Sequence, residues 1–211
     1  METQAREEVE LSLVPMRTIE VQIEGTSPIL CNRFTDETLA VILDDQGKKA
    51  GKRGKVAKDP EKLVEASLYP LVPPRDGTHY GHPAEAFQAA MIQAARHIHG
   101  LSMQGCKGTF MTLGGPQDQL VPIVGADDFE VDIRRVRVGR GVVDIRCRAR
   151  IPVGWTATVP VEFLAEVFSA EQLVNLLALA GGCVGIGDYR PLPGGPGNPG
   201  PFGRFRVTGI G

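Results

Sequence analysis

The sequence predicts an α+β domain whose core strands and helices follow the order βαββαβ. Three observations lead to this fold class. Alternating segments typical of strands occur near both ends and in the middle of the chain, two amphipathic helical segments separate them, and 42% of the 211 residues are hydrophobic. A chain of this length and composition can bury one sizeable core. The order is that of a ferredoxin-like domain, with a basic loop insertion, a β-hairpin and a C-terminal glycine-rich loop added.

The first half of the chain supplies one strand and the longest helix. Residues 1–16 form a flexible acidic leader, and the alternating segment Arg17–Ile23 is a strand. Thr35–Leu43 is expected to be a short helix. A second short helix begins at Pro60, and three prolines then break the chain. The strongest helical pattern starts at Pro83 and ends at Gly100.

The second half supplies the remaining strands and a capped helix. The apolar segment LVPIVG, an arginine-rich hairpin and the segment TATVPVEF are predicted strands. Ser169 caps the next helix, whose inward side chains are Leu173, Leu176, Leu177 and Ala180. It ends at Gly181-Gly182, and the glycine-rich tract Gly185–Gly203 leads to a last strand at Phe205–Thr208. Residues 17–211 are therefore expected to form a single domain with insertions at 44–79 and 100–165.

Composition excludes several classes of protein. The net charge is −2 and the apolar fraction is ordinary, which argues against global disorder. No apolar run approaches the 18 residues of a membrane helix, and the acidic N-terminus does not resemble a signal peptide, so a cytoplasmic location is expected. The four cysteines are Cys31, Cys106, Cys147 and Cys183. Their spacing is not that of a disulfide framework or a metal site.

Thirteen of the 23 basic residues fall in two short segments. The first is a glycine-interspersed loop, predicted to be flexible and to gain order on a polyanion, which contains Lys48, Lys49, Lys52, Arg53, Lys55 and Lys58. The second is the hairpin, where alternation places apolar side chains on one face and arginines on the other. Its arginines are Arg134, Arg135, Arg137, Arg140, Arg146, Arg148 and Arg150. A solvated strand face is the alternative, but the planar guanidinium favours phosphate recognition.

The glycine-rich tract is the other candidate binding segment. It lacks the G-K-[ST] of a Walker loop and the G-x-G-x-x-G of dinucleotide folds, so no cofactor is expected. It would bind through backbone amides and cations, at Gly185, Gly187, Arg190 and Arg204. Tyr189 and Phe202 are candidate stacking platforms for bases, as is Trp155. For Phe205, packing of the last strand onto the core is preferred.

Three residue groups resemble the RAMP superfamily, the ferredoxin-like RNA-binding subunits of CRISPR effector complexes. Gly185–Arg190 with Gly200–Val207 looks like that family's glycine-rich loop and following strand. Tyr80–Ala90 is similar to the start of its first long helix, and Ile19–Ile29 to its opening strand. Here the loop is longer and richer in proline, and Glu85 and Gln88 replace the usual Ser/Lys of the helix start. The resemblance implies a protein that tracks a single-stranded backbone and polymerises along it.

Some RAMP proteins are endoribonucleases that use a histidine, which makes His82, His79 and Tyr80 the candidate catalytic residues. The alternative for His82 is a helix cap before Pro83. The paired acids Asp44-Asp45 and Asp127-Asp128 are interpreted as solvated turn residues, and no metal site is predicted.

The sequence thus favours a non-enzymatic protein that binds single-stranded nucleic acid, with RNA preferred over DNA, as a homo-oligomer or as a subunit of a larger complex. A stand-alone relative in a phage or other mobile element fits the chain length equally. The alternatives are a metal-independent endoribonuclease and a structural scaffold that binds protein.

Overall fold

The computed structural model describes residues 14–34, 60–138, 142–193 and 198–211, without the side chains of 136–138 and 142–144. The predicted helix Thr35–Leu43, the basic loop Lys48–Lys58 and Arg140 lie outside these residues, as does most of the leader. Within the described part, the strands are β1 (Met16–Gly25), β2 (Ile29–Leu30), β3 (Tyr69–Arg75), β4 (Thr78–Pro83), β5 (Phe110–Thr112), β6 (Leu120–Pro122), β7 (Glu130–Val138), β8 (Val142–Ile151), β9 (Thr156–Leu164) and β10 (Phe205–Ile210). The helices are α1 (Pro60–Ala66), α2 (Ala84–Ala94), α3 (Met103–Cys106) and α4 (Ala170–Cys183).

The central sheet has four antiparallel strands in the order β10-β1-β9-β5. Helix α2 lies in the chain between β1 and β5, and helix α4 lies between β9 and β10. One face of the sheet is buried with the helices, as the 6.1 Å separation of the Phe87 and Phe205 rings illustrates. The α+β class is confirmed. Strands β5 and β9 lie within residues 100–165, the range predicted as an insertion, so this range carries two strands of the central sheet.

Two three-stranded sheets flank this core, in the orders β2-β8-β7 and β3-β4-β6. The first contains the predicted arginine hairpin, whose strands pair from Glu130↔Arg150 to Val138↔Val142. The second sheet corrects the prediction that three prolines break the chain after α1. Pro70, Pro73 and Pro74 lie inside strand β3. Proline is tolerated there because β3 is an edge strand and its pairing is irregular between Pro70 and Arg75. The tight turn to β4 uses Asp76 and Gly77, both with positive φ.

Local signals predicted the starts of the two long helices correctly, but not their C-terminal ends. Ser169 caps α4, and Ser169 and Gln172 form the complete capping box. The four side chains predicted to face inward from this helix are buried. The predicted end at Gly181-Gly182 is early, since the helix continues to Cys183. Helix α2 follows Pro83 as predicted but ends at Ala94, where a 3-10 turn over Ala95–His97 takes over.

Candidate nucleic-acid interface

The start of helix α2 and the glycine-rich loop, two segments about 100 residues apart in the chain, line one cleft. Its volume is about 420 Å³. The helix contributes its first two turns and the residues just before them, and the loop contributes three residues. The lining residues are Asn32, Tyr69, His82, Pro83, Glu85, Ala86, Ala89, Gly187, Asp188 and Arg190. The cleft thus joins two of the three segments that carry the RAMP resemblance.

The glycines of the loop are used to pack the chain against itself. Gly203 has φ +71°, and a Cβ there would lie 1.7 Å from the carbonyl oxygen of Ile186. Gly187 has φ +74°, and its Cβ would lie 2.8 Å from the carbonyl oxygen of Leu30. Backbone hydrogen bonds fix this close approach: Ile186 N–H donates to Gly203, and Asp188 N–H donates to Leu30, both at 2.9 Å. The loop is therefore built onto strand β2, which gives its side chains defined positions.

The aromatic candidates divide into exposed and buried side chains. Tyr189 is 39% exposed and adopts φ +53°. Phe202 is buried, and the Arg134 Cζ lies 4.7 Å from the centroid of the Phe202 ring. Trp155 is buried and its Nε1 donates to the Ser27 carbonyl at 3.0 Å, so the expectation that it stacks on a base is wrong. Phe205 is buried, as preferred from the sequence. Tyr189 is the aromatic side chain of the loop that a base can reach.

Three of the hairpin arginines lie against two carboxylates, one of which belongs to the glycine-rich loop. Arg148 is 4% exposed, donates to the Asp188 carboxylate and lies 3.7 Å from Asp132. Arg146 lies 3.7 Å from Asp188, and Arg134 Nε donates to Asp132 at 2.7 Å. The three guanidinium groups share two carboxylates, which neutralise only part of the positive charge, so binding of nucleic acid by this face stays a prediction.

The opposite face of the hairpin carries the exposed apolar side chains. Val131 and Ile133 are 56% and 59% exposed. Among the described side chains of this face, Ala149 and Ile151 at its base are buried. Of the remaining hairpin arginines, Arg150 Nε donates to Glu130 at 2.9 Å and Arg135 is exposed. The side chain of Arg137 lies outside the described part.

Two further cations predicted to bind nucleic acid lie along the loop. Arg190 is partly buried in the cleft, where its Nε donates to the Leu192 carbonyl at 3.1 Å, and burial lowers its pKa. Arg204 is exposed, and its Nε donates to the Gly182 carbonyl at 3.2 Å. Both guanidinium groups keep further N–H donors beyond these bonds, so each can bind an added acceptor.

His82 occupies the floor of the cleft in neutral form. It is 3% exposed, and its ring contacts Tyr69 and Phe87 edge-on. Burial lowers the pKa of His82 to about 4, with a smaller contribution from the Arg190 charge. Its Nδ1 is buried without a hydrogen-bond partner. Burial also raises the pKa of the neighbouring Tyr69 to about 12. Both groups are uncharged at neutral pH.

The other two candidate catalytic residues, His79 and Tyr80, do not line the cleft. His79 Nδ1 lies 2.9 Å from the Asp127 carboxylate, in an exposed position. Asp127 belongs to a 3-10 turn over Ala126–Asp128, and it is paired rather than simply solvated. Tyr80 packs edge-on against Phe129 at 5.9 Å. His79, Tyr80 and His82 therefore do not share one site, since only His82 lines the cleft.

Sequence reasoning missed four residues that shape this region: Asn32, Tyr69, Asp132 and Asp188. Asp188 lies within the motif Gly185–Arg190, and it anchors the hairpin through Arg148. A signal was present, because a carboxylate in a loop is a candidate partner for the arginines of the hairpin. Asn32 and Tyr69 had no such signal, since they enter the cleft only through the packing of β2 and β3.

Within the described residues, no group of three or more His, Cys, Asp or Glu side chains is placed to hold a metal ion. None of the helices in that part of the chain is long and apolar enough to cross a membrane.

Comparison with known proteins gives structural likeness alone. No family model matches the chain, and no curated protein matches it. One similar structure is the Type III-B Cmr-beta bound to cognate target RNA, with a TM-score of 0.48 and 10% identity over 93% of this chain and 60% of that chain. Another is Cmr6 from Pyrococcus furiosus, with a TM-score of 0.45 and 9% identity over 92% of this chain and 98% of that chain. Both scores are below 0.5, so the functional proposals rest on the geometry of the chain itself.

Proposed function

We propose that this chain is a RAMP-like protein with a ferredoxin-like core that binds single-stranded nucleic acid, RNA in preference to DNA, within a multi-subunit assembly. The strand order β10-β1-β9-β5, with one helix after the first strand and another before the last, supports a βαββαβ core. That the chain is a stand-alone relative from a phage or other mobile element stays a prediction from the sequence.

The observation that carries the proposal is the convergence of the α2 start and the glycine-rich loop on one cleft. Tyr189 and Arg204 are exposed along the same loop, and Arg190 lines the cleft. A stacking ring beside guanidinium groups suits a single strand, whose bases and phosphates are both accessible. The basic segment Lys48–Lys58 adds positive charge in the sequence between β2 and α1.

The open face of the central sheet is the less favourable surface for a polyanion. It carries Glu20, Glu24 and Glu162, alternating with the side chains that enter the core. The aromatic residues of these strands, Phe110, Phe163 and Phe205, are buried on the other face. Domains that bind RNA on such a sheet use exposed aromatic side chains for stacking. Binding through the loop and the helix start is therefore preferred over binding through the sheet.

Fluorescence anisotropy with a labelled single-stranded RNA of mixed sequence tests the proposal. The logarithm of the affinity should fall linearly with the logarithm of salt concentration, with a slope of roughly −0.7 per phosphate neutralised. Replacement of the six basic residues of Lys48–Lys58 by Ala should weaken binding and flatten this slope, and Arg204→Ala should do so by about one phosphate contact.

Arg206→Ala is the matched control. Arg206 is exposed, but it pairs with Glu24 at 2.8 Å on the open face of the sheet. It should leave both the affinity and the slope unchanged. Affinity that does not respond to salt, or equal losses for Arg204→Ala and Arg206→Ala, contradicts binding through the loop. Arg148→Ala is a poor probe, because it also removes a buried ion pair.

The two alternative functions from the sequence, an endoribonuclease and a protein scaffold, predict different experimental results. An endoribonuclease would cleave RNA in EDTA and lose this activity in His82→Ala. His82 is neutral at neutral pH, as a general base requires, but its side chain is only 3% exposed on the cleft floor. A protein scaffold would purify free of nucleic acid, which the ratio of absorbance at 260 and 280 nm reports directly.

A further inference from the structure

The cleft between α2 and the glycine-rich loop contains polar groups that the chain itself leaves unused. His82 lines it while only 3% exposed, and its Nδ1 has no hydrogen-bond partner. Buried polar atoms in native proteins are nearly always paired, because an unpaired one loses its hydration without compensation. The Nδ1 of His82 is thus a hydrogen-bonding position on the cleft floor that the described residues do not use.

The charges around the cleft favour a neutral ligand with hydrogen-bonding edges. Glu85 is exposed in the first turn of α2, and Arg190 lines the opposite, loop side. Asp188 also lines the cleft, but its carboxylate binds Arg148 and lies 3.7 Å from Arg146. The charged groups that remain available are one carboxylate, Glu85, and one guanidinium, Arg190, so the cleft offers no excess of positive charge to a phosphate group. A carboxylate and a guanidinium together can hold a group that presents both N–H donors and carbonyl or ring-nitrogen acceptors.

The remaining walls are flat or small. Tyr69 supplies an aromatic ring, and Pro83, Ala86 and Ala89 supply short apolar side chains. The volume of about 420 Å³ is in the range of pockets that enclose small organic molecules. A flat ring with apolar faces and polar edges suits these walls, whereas a sugar-phosphate backbone does not.

We propose that this cleft takes one nucleobase extruded from the bound strand, and that guanine fits it best. Guanine presents N1–H and N2–H₂ donors to the Glu85 carboxylate, and O6 and N7 acceptors to the Arg190 guanidinium. Adenine offers no pair of donors for the carboxylate on its Watson–Crick edge. This inference rests on the proposed binding of single-stranded nucleic acid and adds a base preference to it.

Three uridine nonamers test the pocket: one with a central guanosine, one with a central adenosine and one all uridine. Wild-type protein should bind the guanosine nonamer about tenfold more tightly than the other two, the lower part of the discrimination expected of one bidentate base contact. Glu85→Gln should remove this preference. Ala89→Phe, which places a large side chain in the cleft from an exposed helix position, should also remove it.

Glu20→Gln is the control with the same change of charge, since Glu20 is exposed on β1, away from the cleft. It should retain the guanosine preference. Equal binding of the three nonamers overturns the pocket alone, and so does a preference for adenosine. Absence of binding to any of them, at low salt, overturns the proposed function as well.

Discussion

At the scale of single residues, the conformation of the glycine-rich loop depends on a few glycines. Gly203 and Gly187 have positive φ and face backbone carbonyl oxygens at distances that exclude a Cβ. Gly182, by contrast, lies in the last turn of α4 with nothing within 4 Å of its Cβ position. A side chain is therefore excluded at Gly203 and Gly187 but has room at Gly182.

Gly203→Ala should destabilise the protein, because a left-handed non-glycine residue alone costs roughly 1–3 kcal/mol and the clash with Ile186 adds to it. Gly182→Ala should stabilise it by about 0.5–1 kcal/mol through helix propensity. Urea denaturation followed by circular dichroism measures both. Equal effects of the two substitutions would show that the loop does not hold this conformation.

His82 should make stability depend on pH. Its pKa is lowered from 6.5 to about 4 in the fold, so between these values the unfolded chain binds more protons than the folded chain. Stability is then complete above pH 6.5 and is lost as the pH falls toward 4, by up to about 3 kcal/mol. The groups around His82 are Tyr69, Glu85, Asp188 and Arg190.

Urea denaturation at pH 7.5, 6.0 and 5.0 checks this expectation by comparison of wild type with His82→Phe, in which the extra loss of stability should be absent. His97→Gln is the control, because His97 is exposed and should keep the wild-type dependence. An identical pH dependence in wild type and His82→Phe would contradict a buried neutral histidine.

At the scale of elements, the β7–β8 hairpin is attached to the glycine-rich loop by a shared cluster of charges. Arg148 is buried between Asp132 and Asp188, while Arg134 covers Phe202 of the same loop. The alternation of the hairpin was readable, but the side that faces the protein was not. A period-2 pattern defines two faces of the hairpin. The arginine face packs on Asp188, which lies 40 residues beyond Arg148 in the chain.

Asp188→Ala should destabilise the protein by about 3 kcal/mol, because it leaves the Arg148 guanidinium buried with only the more distant Asp132. Arg148→Met in the Asp188→Ala background should restore part of this loss, since the unpaired charge is removed. Chemical denaturation of the two single variants and the double variant gives the coupling free energy. Additive losses would contradict a direct interaction.

At the scale of the whole molecule, we expect several copies to assemble on a long strand. The hairpin exposes Val131 and Ile133 on β7, which is an edge strand of its sheet, and exposed apolar side chains favour association between proteins. Sedimentation velocity with RNA of 9 and 36 nucleotides should give one bound copy and several copies, respectively. Val131→Thr/Ile133→Thr should reduce the number on the long RNA without weakening binding to the short one.

A constant number of bound copies at both lengths would contradict assembly. Unchanged assembly of the double threonine variant would instead place the contact elsewhere on the molecule.

The sequence alone determined the α+β class, the strand Arg17–Ile23, the capped helix at Ser169 and the arginine hairpin, because hydrophobic period, capping residues and turn residues act over a few positions. Only the tertiary structure decided that β5 and β9 join the central sheet, that Arg148 is buried against Asp188 and that Tyr69 and Asn32 meet His82 at one cleft. These contacts join residues far apart in the chain. Their geometry depends on how sheets and loops pack together, which no local pattern encodes.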